Sequence, residues 1–325
     1  MTRAIRFDKV GGPEVLTYQT INLPAPGTGE ARIRHTAIGV NFIDVYHRTG
    51  LYKLPLPAGL GMEAAGVVES VGAGVTRVAA GDRVAYASAP VGAYSEAANV
   101  GEIRLVKLPD GVPDDVAAAS LLKGMTAHYL LRRTYLVKKG DFILFHAAAG
   151  GVGMIAVQWA AKLGAIVIAT VGSPEKVAFA QRLGAAHVIT TKTENVATRV
   201  REITGGKGVP VVYDSIGRDT FMASLDSLAP LGLFVSFGNA SGPVPPFDAQ
   251  LLSQKGSLYF TRPTLGHYVT GPAELDAAAG ELFQMIAANA IRIRPPQKFN
   301  LSQAADAHRA IESRQTQGSL VLIPD

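Results

Sequence analysis

The sequence predicts an α/β chain in which a doubly wound parallel sheet is joined to a second, β-rich domain. Three observations carry that expectation. From about Leu122 onward, short apolar runs alternate with helical stretches, the rhythm of successive βαβ units. The preceding residues carry only short β-like runs punctuated by Gly and Pro. At 325 residues the chain has room for about two domains.

In chain order, "EARIRHTAIGV", "AAGVVESVG" and "GDRVAYA" are bounded by turn residues and read as strands of a compact, partly barrel-like domain. "FILFH" then starts the parallel sheet and leads to a helix through Lys162. "IVIAT" precedes a helix over 174–183, "HVI" one near 195–203, and "VPVVYD" one near 219–228. "LFVSFG" and "SLYFT" supply the last strands of a sheet covered on both faces. After Arg262 the pattern loosens into a helix near 274–288, a Pro295-Pro296 break, a helix over 302–313 and a strand "SLVLI". So short a tail implies a return to the first domain. The expected domains are 1–122 with 263–325, and 123–262.

Composition narrows the function. Hydrophobic residues make up 48% and charged residues 18%, enough apolar material for a sizeable core. No apolar run approaches the ~18 residues of a membrane span. The opening "MTRAIRFDKVGGPEVL" lacks the apolar core of a secretory signal, so a cytoplasmic protein is expected. The absence of cysteine excludes disulfides, thiolate nucleophiles and Cys-ligated zinc. The net charge is +5, yet the basic residues are scattered. Nucleic acid is therefore not expected as a partner; the excess serves solubility or draws in one anionic ligand.

The most informative stretch is "FILFHAAAGGVGMIAVQWAAKLGA". Ala147, Gly150 and Gly153 occupy the three spaced positions of a dinucleotide fingerprint, with Ala in place of the first Gly. Such a turn lets the backbone approach a pyrophosphate, and the helix that follows offers it unpaired N–H groups. Val152, Ala156, Trp159 and Leu163 recur at helical spacing, so one face should pack on the sheet. The competing reading is a glycine turn used only for packing. An NAD-selective site usually carries an acid about 20 residues beyond the fingerprint. Here "IVIAT" ends in Val171-Gly172-Ser173, with no acid. Ser173 can cap the next helix, Pro174 suits its first position, and Lys176 lies in its first turn. A cation is disfavoured there unless an anion such as a 2′-phosphate sits beside it. The expected cofactor is NADPH; the alternative is a solvated surface lysine.

Several segments together resemble the zinc-free quinone oxidoreductase (ζ-crystallin-like) branch of the medium-chain dehydrogenase/reductase superfamily. They are "GGPEVL", "NFIDVYHRTGLY", "GMEAAGVV", "AAAGGVG", "VVYDSIG", "VSFGNASG" and "ESRQTQGSLVLIP", spread over nearly the whole chain. The resemblance implies a GroES-like β domain with an inserted Rossmann domain. Zinc-dependent relatives place a Cys ligand where this chain has Asn41, and a His where it has Met62. The seven histidines (His35, His47, His128, His146, His187, His267 and His308) show no helical pairing, so no metal is expected. Without a metal to stabilise an alkoxide, the substrate should be electrophilic already, as quinones and conjugated enones are.

The resemblance also implies site residues. Asn41, Phe42 and Tyr46 line the nicotinamide and substrate cleft, and Tyr46 and Tyr52 are candidate hydrogen-bond donors to a quinone oxygen. Asn41, Tyr46 and Tyr52 are thus the catalytic candidates, although a turn-stabilising Asn and ordinary core tyrosines are open alternatives. Tyr129, Gly150, Gly151, Val152, Gly153, Gly172, Ser173, Lys176, Phe237, Gly238, Asn239, Arg262, Pro263, Thr264 and Arg314 complete the cofactor set. Thr191 belongs to it as a departure: bacterial members often carry a tyrosine there, so a ring and a phenol are missing from the phosphate corner. The implied activity is NADPH-dependent quinone reduction by a homodimer that pairs near "SLYFT". The alternatives are an enone or 2-alkenal reductase on the same scaffold, or a crystallin-like protein binding NADPH or RNA without catalysis.

Overall fold

The computed structural model describes residues 1–88, 90–313, 316 and 318–325. The chain forms two compact units, one of Met1–Lys123, Val269–Asn289 and Ile293–Asp325, the other of Gly124–Tyr268 and Ala290–Arg292.

Unit 1 opens with β1 (Thr2–Phe7), β2 (Thr17–Ile21), β3 (Glu30–Val40), α1 (Phe42–Thr49), β4 (Ala58–Gly59), β5 (Glu63–Val71), β6 (Arg83–Ala87), β7 (Ala97–Gly101) and β8 (Val106–Lys107). The helix α2 (Asp114–Tyr129) follows. Unit 2 then alternates β9 (Phe142–Phe145), α3 (Gly151–Lys162), β10 (Ile166–Val171), α4 (Val177–Arg182), β11 (His187–Thr190), α5 (Val196–Ile203), β12 (Val209–Asp214), α6 (Phe221–Ser227), β13 (Leu228–Ser236), α7 (Gln250–Gln254) and β14 (Tyr259–Thr261). The tail supplies α8 (Pro272–Ala287), β15 (Gln297–Asn300), α9 (Ala304–Glu312) and β16 (Leu320–Ile323).

In unit 1, β2-β1-β4 form a small antiparallel sheet and β15-β16-β3-β5-β6-β8 a larger one, with β7 also paired to β3. The apolar residues of β3 explain its central place. Ala31 and Ile33 alternate with polar neighbours, while Ile38 and Val40 join Ile5, Phe7, Leu60, Leu320 and Leu322 in one core. The tail returns to unit 1 through β16, which runs antiparallel to β3 with Leu320 opposite Val40.

Unit 2 is a six-stranded sheet ordered β11-β10-β9-β12-β13-β14, parallel throughout. The winding reverses between β9 and β12, and ligands of such sheets bind outside the carboxyl ends of the strands at that point. Near-continuous burial along β10 fits a sheet covered on both faces.

Four expectations change. Residues 174–183 form a 3₁₀ turn, Pro174–Lys176, followed by the short α4. Ser173 stands at the N-cap, but its side chain does not cap the backbone; its hydroxyl bonds the Glu175 carboxylate instead. The helix α3 is not buried on one face alone: Gly153 to Val157, Trp159 and Ala160 are all buried, and Val152 and Leu163 only partly. A second cover explains this, because Gln158 exchanges two hydrogen bonds with the backbone of Arg292. Finally, the tail leaves unit 2 at Tyr268 rather than at 262. Tyr268 stacks on Tyr129 (4.6 Å between centroids) and its carbonyl accepts from Arg133, which keeps 263–268 with the sheet.

Candidate active site

In unit 2 the glycine turn leads from β9 into α3. Gly150 is the N-cap and its N–H reaches back to the Ala147 carbonyl (2.8 Å). Ala147, at the first fingerprint position, has φ 53°, a left-handed conformation that glycine adopts without penalty and alanine does not. Gly153 is needed for space, because a Cβ there would drive into the Ala147 carbonyl oxygen. The result is a twelve-residue helix whose first N–H groups have no intrahelical acceptor, a site suited to a phosphate.

The neighbouring strand ends bring the second group together. Thr191 N–H and Oγ1 both donate to the Val171 carbonyl (3.0 and 3.3 Å). This fixes Thr191 beside Gly172 and Ser173. A Cβ on Gly172 would meet nothing within 4 Å, so the protein leaves open space at that corner. Lys176 ends the 3₁₀ turn. Sequence reasoning missed two members, Glu175 and Lys192. Ser173 holds the Glu175 carboxyl below its ordinary range, helped by Lys192 and Lys176. Lys192 adjoins the Thr191 departure, and that adjacency was the available signal.

A third group forms at the ends of β13 and β14. Phe237 donates its N–H to the Asp214 carbonyl and packs its ring 5.8 Å from Phe145. Gly238 lies so close to Ser215 that a Cβ would collide with it. Asn239 accepts the N–H of Gly242. Arg262 donates to the Ser236 carbonyl (3.0 Å); the buried Pro263 and the exposed Thr264 follow. Tyr129 ends α2 and stacks on Tyr268. Arg314 lies outside the described residues.

In unit 1, α1 and the loop after it gather the remaining candidates. Tyr46 packs between Phe42 (5.6 Å) and Tyr52 (5.2 Å), and Tyr52 also contacts His47 (6.0 Å). Asn41 is the N-cap of α1, and its side-chain N–H donates to Glu63 Oε2 (2.8 Å). Glu63 also accepts from Leu122 N–H (2.6 Å) and faces Lys123 Nζ (3.5 Å). Burial raises the Glu63 carboxyl above its usual range against the pull of Lys123. This pairing, unseen in the sequence, pins the Asn41 amide.

A second buried network lies behind α1. Asp44 accepts Asn41 N–H (2.8 Å) and the Tyr94 hydroxyl (3.0 Å). Tyr94 meets His308 (3.2 Å), His308 meets Arg48 (3.0 Å), and Arg48 grips Glu312 with two bonds. Burial pushes Asp44 up to about 7 despite both donors. His308 is pushed down to about 3 by burial and by the Arg48 charge. Among the described residues, no group of three His, Cys, Asp or Glu side chains could hold a metal ion.

With this geometry in place, the chain can be compared with known proteins. Residues 27–141 match the alcohol dehydrogenase GroES-like domain, and 151–282 match the zinc-binding dehydrogenase family. The chain is 56% identical to a quinone oxidoreductase of Pseudomonas aeruginosa over 325 residues, the full length of both. It is 47% identical to a 2-haloacrylate reductase of a Burkholderia species over 332 residues, covering 100% of this chain and 99% of that protein. The crystal structure of Escherichia coli quinone oxidoreductase complexed with NADPH superposes with a TM-score of 0.98 at 51% identity, covering 99% of this chain and all of that one.

Proposed function

The chain belongs to the quinone oxidoreductase family of the medium-chain dehydrogenases/reductases, and on that premise we propose that it reduces quinones with NADPH and without a metal. The observation that carries the reading is the end-to-end match to the E. coli enzyme in complex with NADPH. The residues fit such a cofactor. The missing Cβ of Gly153 lets the turn close tightly, and the open space at Gly172 leaves room for a ligand.

Gly150, Gly151, Val152 and Gly153 are assigned to the pyrophosphate. Gly172, Ser173, Lys176 and Thr191 are assigned to the 2′-phosphate, with Lys192 added beside them. Tyr129, Phe237, Gly238, Asn239, Arg262, Pro263 and Thr264 are assigned to the rest of the cofactor, and Arg314 joins them on sequence grounds alone. When bound, NADPH supplies the reducing equivalents. The chain's own part is to bind, orient and donate. Glu63 holds the Asn41 amide in one orientation. Tyr46 and Tyr52 offer phenol donors to a quinone oxygen while their rings cover its face. Met62 and an Asn41 amide already bonded to Glu63 are poor zinc ligands, which supports a metal-free route. A quinone needs no metal, because its ring spreads the developing charge.

The same reading includes a cytoplasmic homodimer. β14 ends the sheet and Tyr259 on it is exposed, an edge of the kind that a two-fold mate covers. A monomer mass at micromolar concentration would overturn that part.

The test follows NADPH consumption with 1,4-benzoquinone, a naphthoquinone and a 2-alkenal, with NADH run beside NADPH. The expected outcome is quinone turnover with a clear NADPH preference that narrows in Lys176→Ala. Absence of quinone turnover would overturn the reading. The likeness to 2-haloacrylate reductase favours a second reading, an activated-alkene reductase, which turnover confined to the 2-alkenal would establish.

A further inference from the structure

The mechanism leaves unused a buried line of polar side chains beneath the glycine turn. Asp214, Ser224 and His146 are 0% exposed and Thr170 is 1% exposed. Ser224 Oγ lies 2.7 Å from Asp214 Oδ2 and 3.0 Å from His146 Nε2. His146 Nδ1 lies 3.1 Å from Thr170 Oγ1, which is 3.3 Å from Ala147 N.

The proton inventory fixes the direction of this line. Asp214 Oδ1 already accepts two backbone N–H groups, from Ile216 (2.7 Å) and Gly217 (3.0 Å), so the group acts as an acceptor. Ser224 therefore gives its single proton to Asp214. His146 Nε2 must then carry a hydrogen and donate it to Ser224. In a neutral ring Nδ1 is left bare, and the Thr170 hydroxyl donates to it. Thr170 Oγ1 is thereby open to accept the Ala147 N–H. Burial, which lowers the His146 pKa, agrees with a neutral ring. Ser, His and Asp here are not a nucleophilic triad: the imidazole donates to the serine and so cannot take its proton.

We propose that Thr170, His146 and Ser224 are positioning residues for the cofactor turn, acting as a one-way hydrogen-bond line that holds Ala147 in its left-handed conformation. The inference rests on the NADPH reading of the 147–153 turn. One end of the line is the first fingerprint residue, whose carbonyl also receives Gly150 N–H. The other end is Asp214, which organises the loop after β12. That loop is bonded onward to the loop after β13, through Ala240 N–H to the Ser215 carbonyl (3.1 Å) and Ser241 N–H to the Ile216 carbonyl (2.8 Å). Three ligand-facing loops at the carboxyl edge are thus held in one arrangement before a cofactor arrives. Preorganisation of this kind raises affinity by removing the cost of ordering a loop on binding.

The test compares Thr170→Val, which keeps the shape and loses the hydroxyl, with Thr170→Ser, which keeps the hydroxyl. NADPH affinity is measured by calorimetry, and amide exchange of residues 146–150 in the cofactor-free protein by mass spectrometry. Ser224→Ala breaks the line at another point and serves if Thr170→Val does not fold. The expected result is an NADPH Kd raised about tenfold in Thr170→Val and Ser224→Ala, within about twofold of wild type in Thr170→Ser, as loss of one buried hydrogen bond would give. Faster exchange at Ala147 should accompany the rise, with the quinone KM unchanged. Folded Thr170→Val and Ser224→Ala proteins with wild-type Kd and wild-type exchange would overturn the inference while leaving the cofactor reading intact. A wild-type protein that bound no NADPH would overturn the cofactor reading itself, and the inference with it.

Discussion

Glu63 has no exposed side-chain surface and Lys123 only 8%, so neither charge has water to fall back on. Glu63→Gln would turn an amide donor toward Asn41 or leave Lys123 unpaired. Removing one partner of such a buried pair typically costs about 3–5 kcal/mol. The expected outcome is a urea midpoint lowered accordingly, with an unchanged slope, and a loss of activity if Asn41 has the role assigned to it. A midpoint within experimental scatter of wild type would mean that the pair is solvated. The sequence could not disclose this contact. Glu63 follows Met62 and looks like the remnant of a metal-binding motif, whereas its working partners, Asn41 and Lys123, are 22 and 60 residues away.

Elements were more legible than contacts. The strands of unit 2 stand where the apolar runs predict them, since a strand buried on both faces writes itself as an unbroken run of Val and Ile. The helix boundaries shifted where capping chemistry was ambiguous. At α5 the signal was clean: Asn195 is the N-cap and its side chain accepts Thr198 N–H (3.0 Å). Asn195→Ala should cost about 1 kcal/mol, read as a shift in the chemical denaturation midpoint. At α4 Ser173 looked equally suitable, but Glu175 two residues on captured its hydroxyl, a competition that residue type alone does not rank. The one-sided stripe expected on α3 was incomplete for a different reason. Its second cover, residues 290–292, comes from the far end of the sequence, and local periodicity carries no information about so distant a partner. The candidate site divides in the same way. The glycine turn was readable because its spacing is local, while Asp44 and the Thr170–His146–Ser224 line emerged only once the chain was folded.

At the scale of the whole molecule, four buried imidazoles shape the response to pH. Burial lowers His35 to about 4 and His308 to about 3, and also lowers His47 and His146. Between the unfolded value of 6.5 and these folded values the unfolded chain binds more protons, so stability falls as the solution is acidified. Asp44 opposes this. Raised from 3.8 to about 7, it binds its proton in the folded state first and contributes stability that is lost as pH rises through 7. Glu63, whose carboxyl burial also raises, acts in the same sense as Asp44. The four histidines outnumber the two carboxyls, so the expected outcome is a denaturation midpoint that drops from pH 6.5 to pH 4. His308→Gln, whose amide can accept from Arg48 and donate to Tyr94, should flatten that slope; an unchanged slope would show that His308 is not a source of it. The arrangement of β3 between β16 and β5 has a further consequence during synthesis. Residues 142–261 hold every strand of the parallel sheet, so that sheet can close while the tail is still inside the ribosome. β7 covers residues 30–34 of β3 early, but Ile38–Val40 must wait for 320–323. At about 5–20 residues per second, the ~280 residues between β3 and β16 take on the order of tens of seconds, during which the Ile38–Val40 end of β3 is an open template for stray strands until β16 seals it.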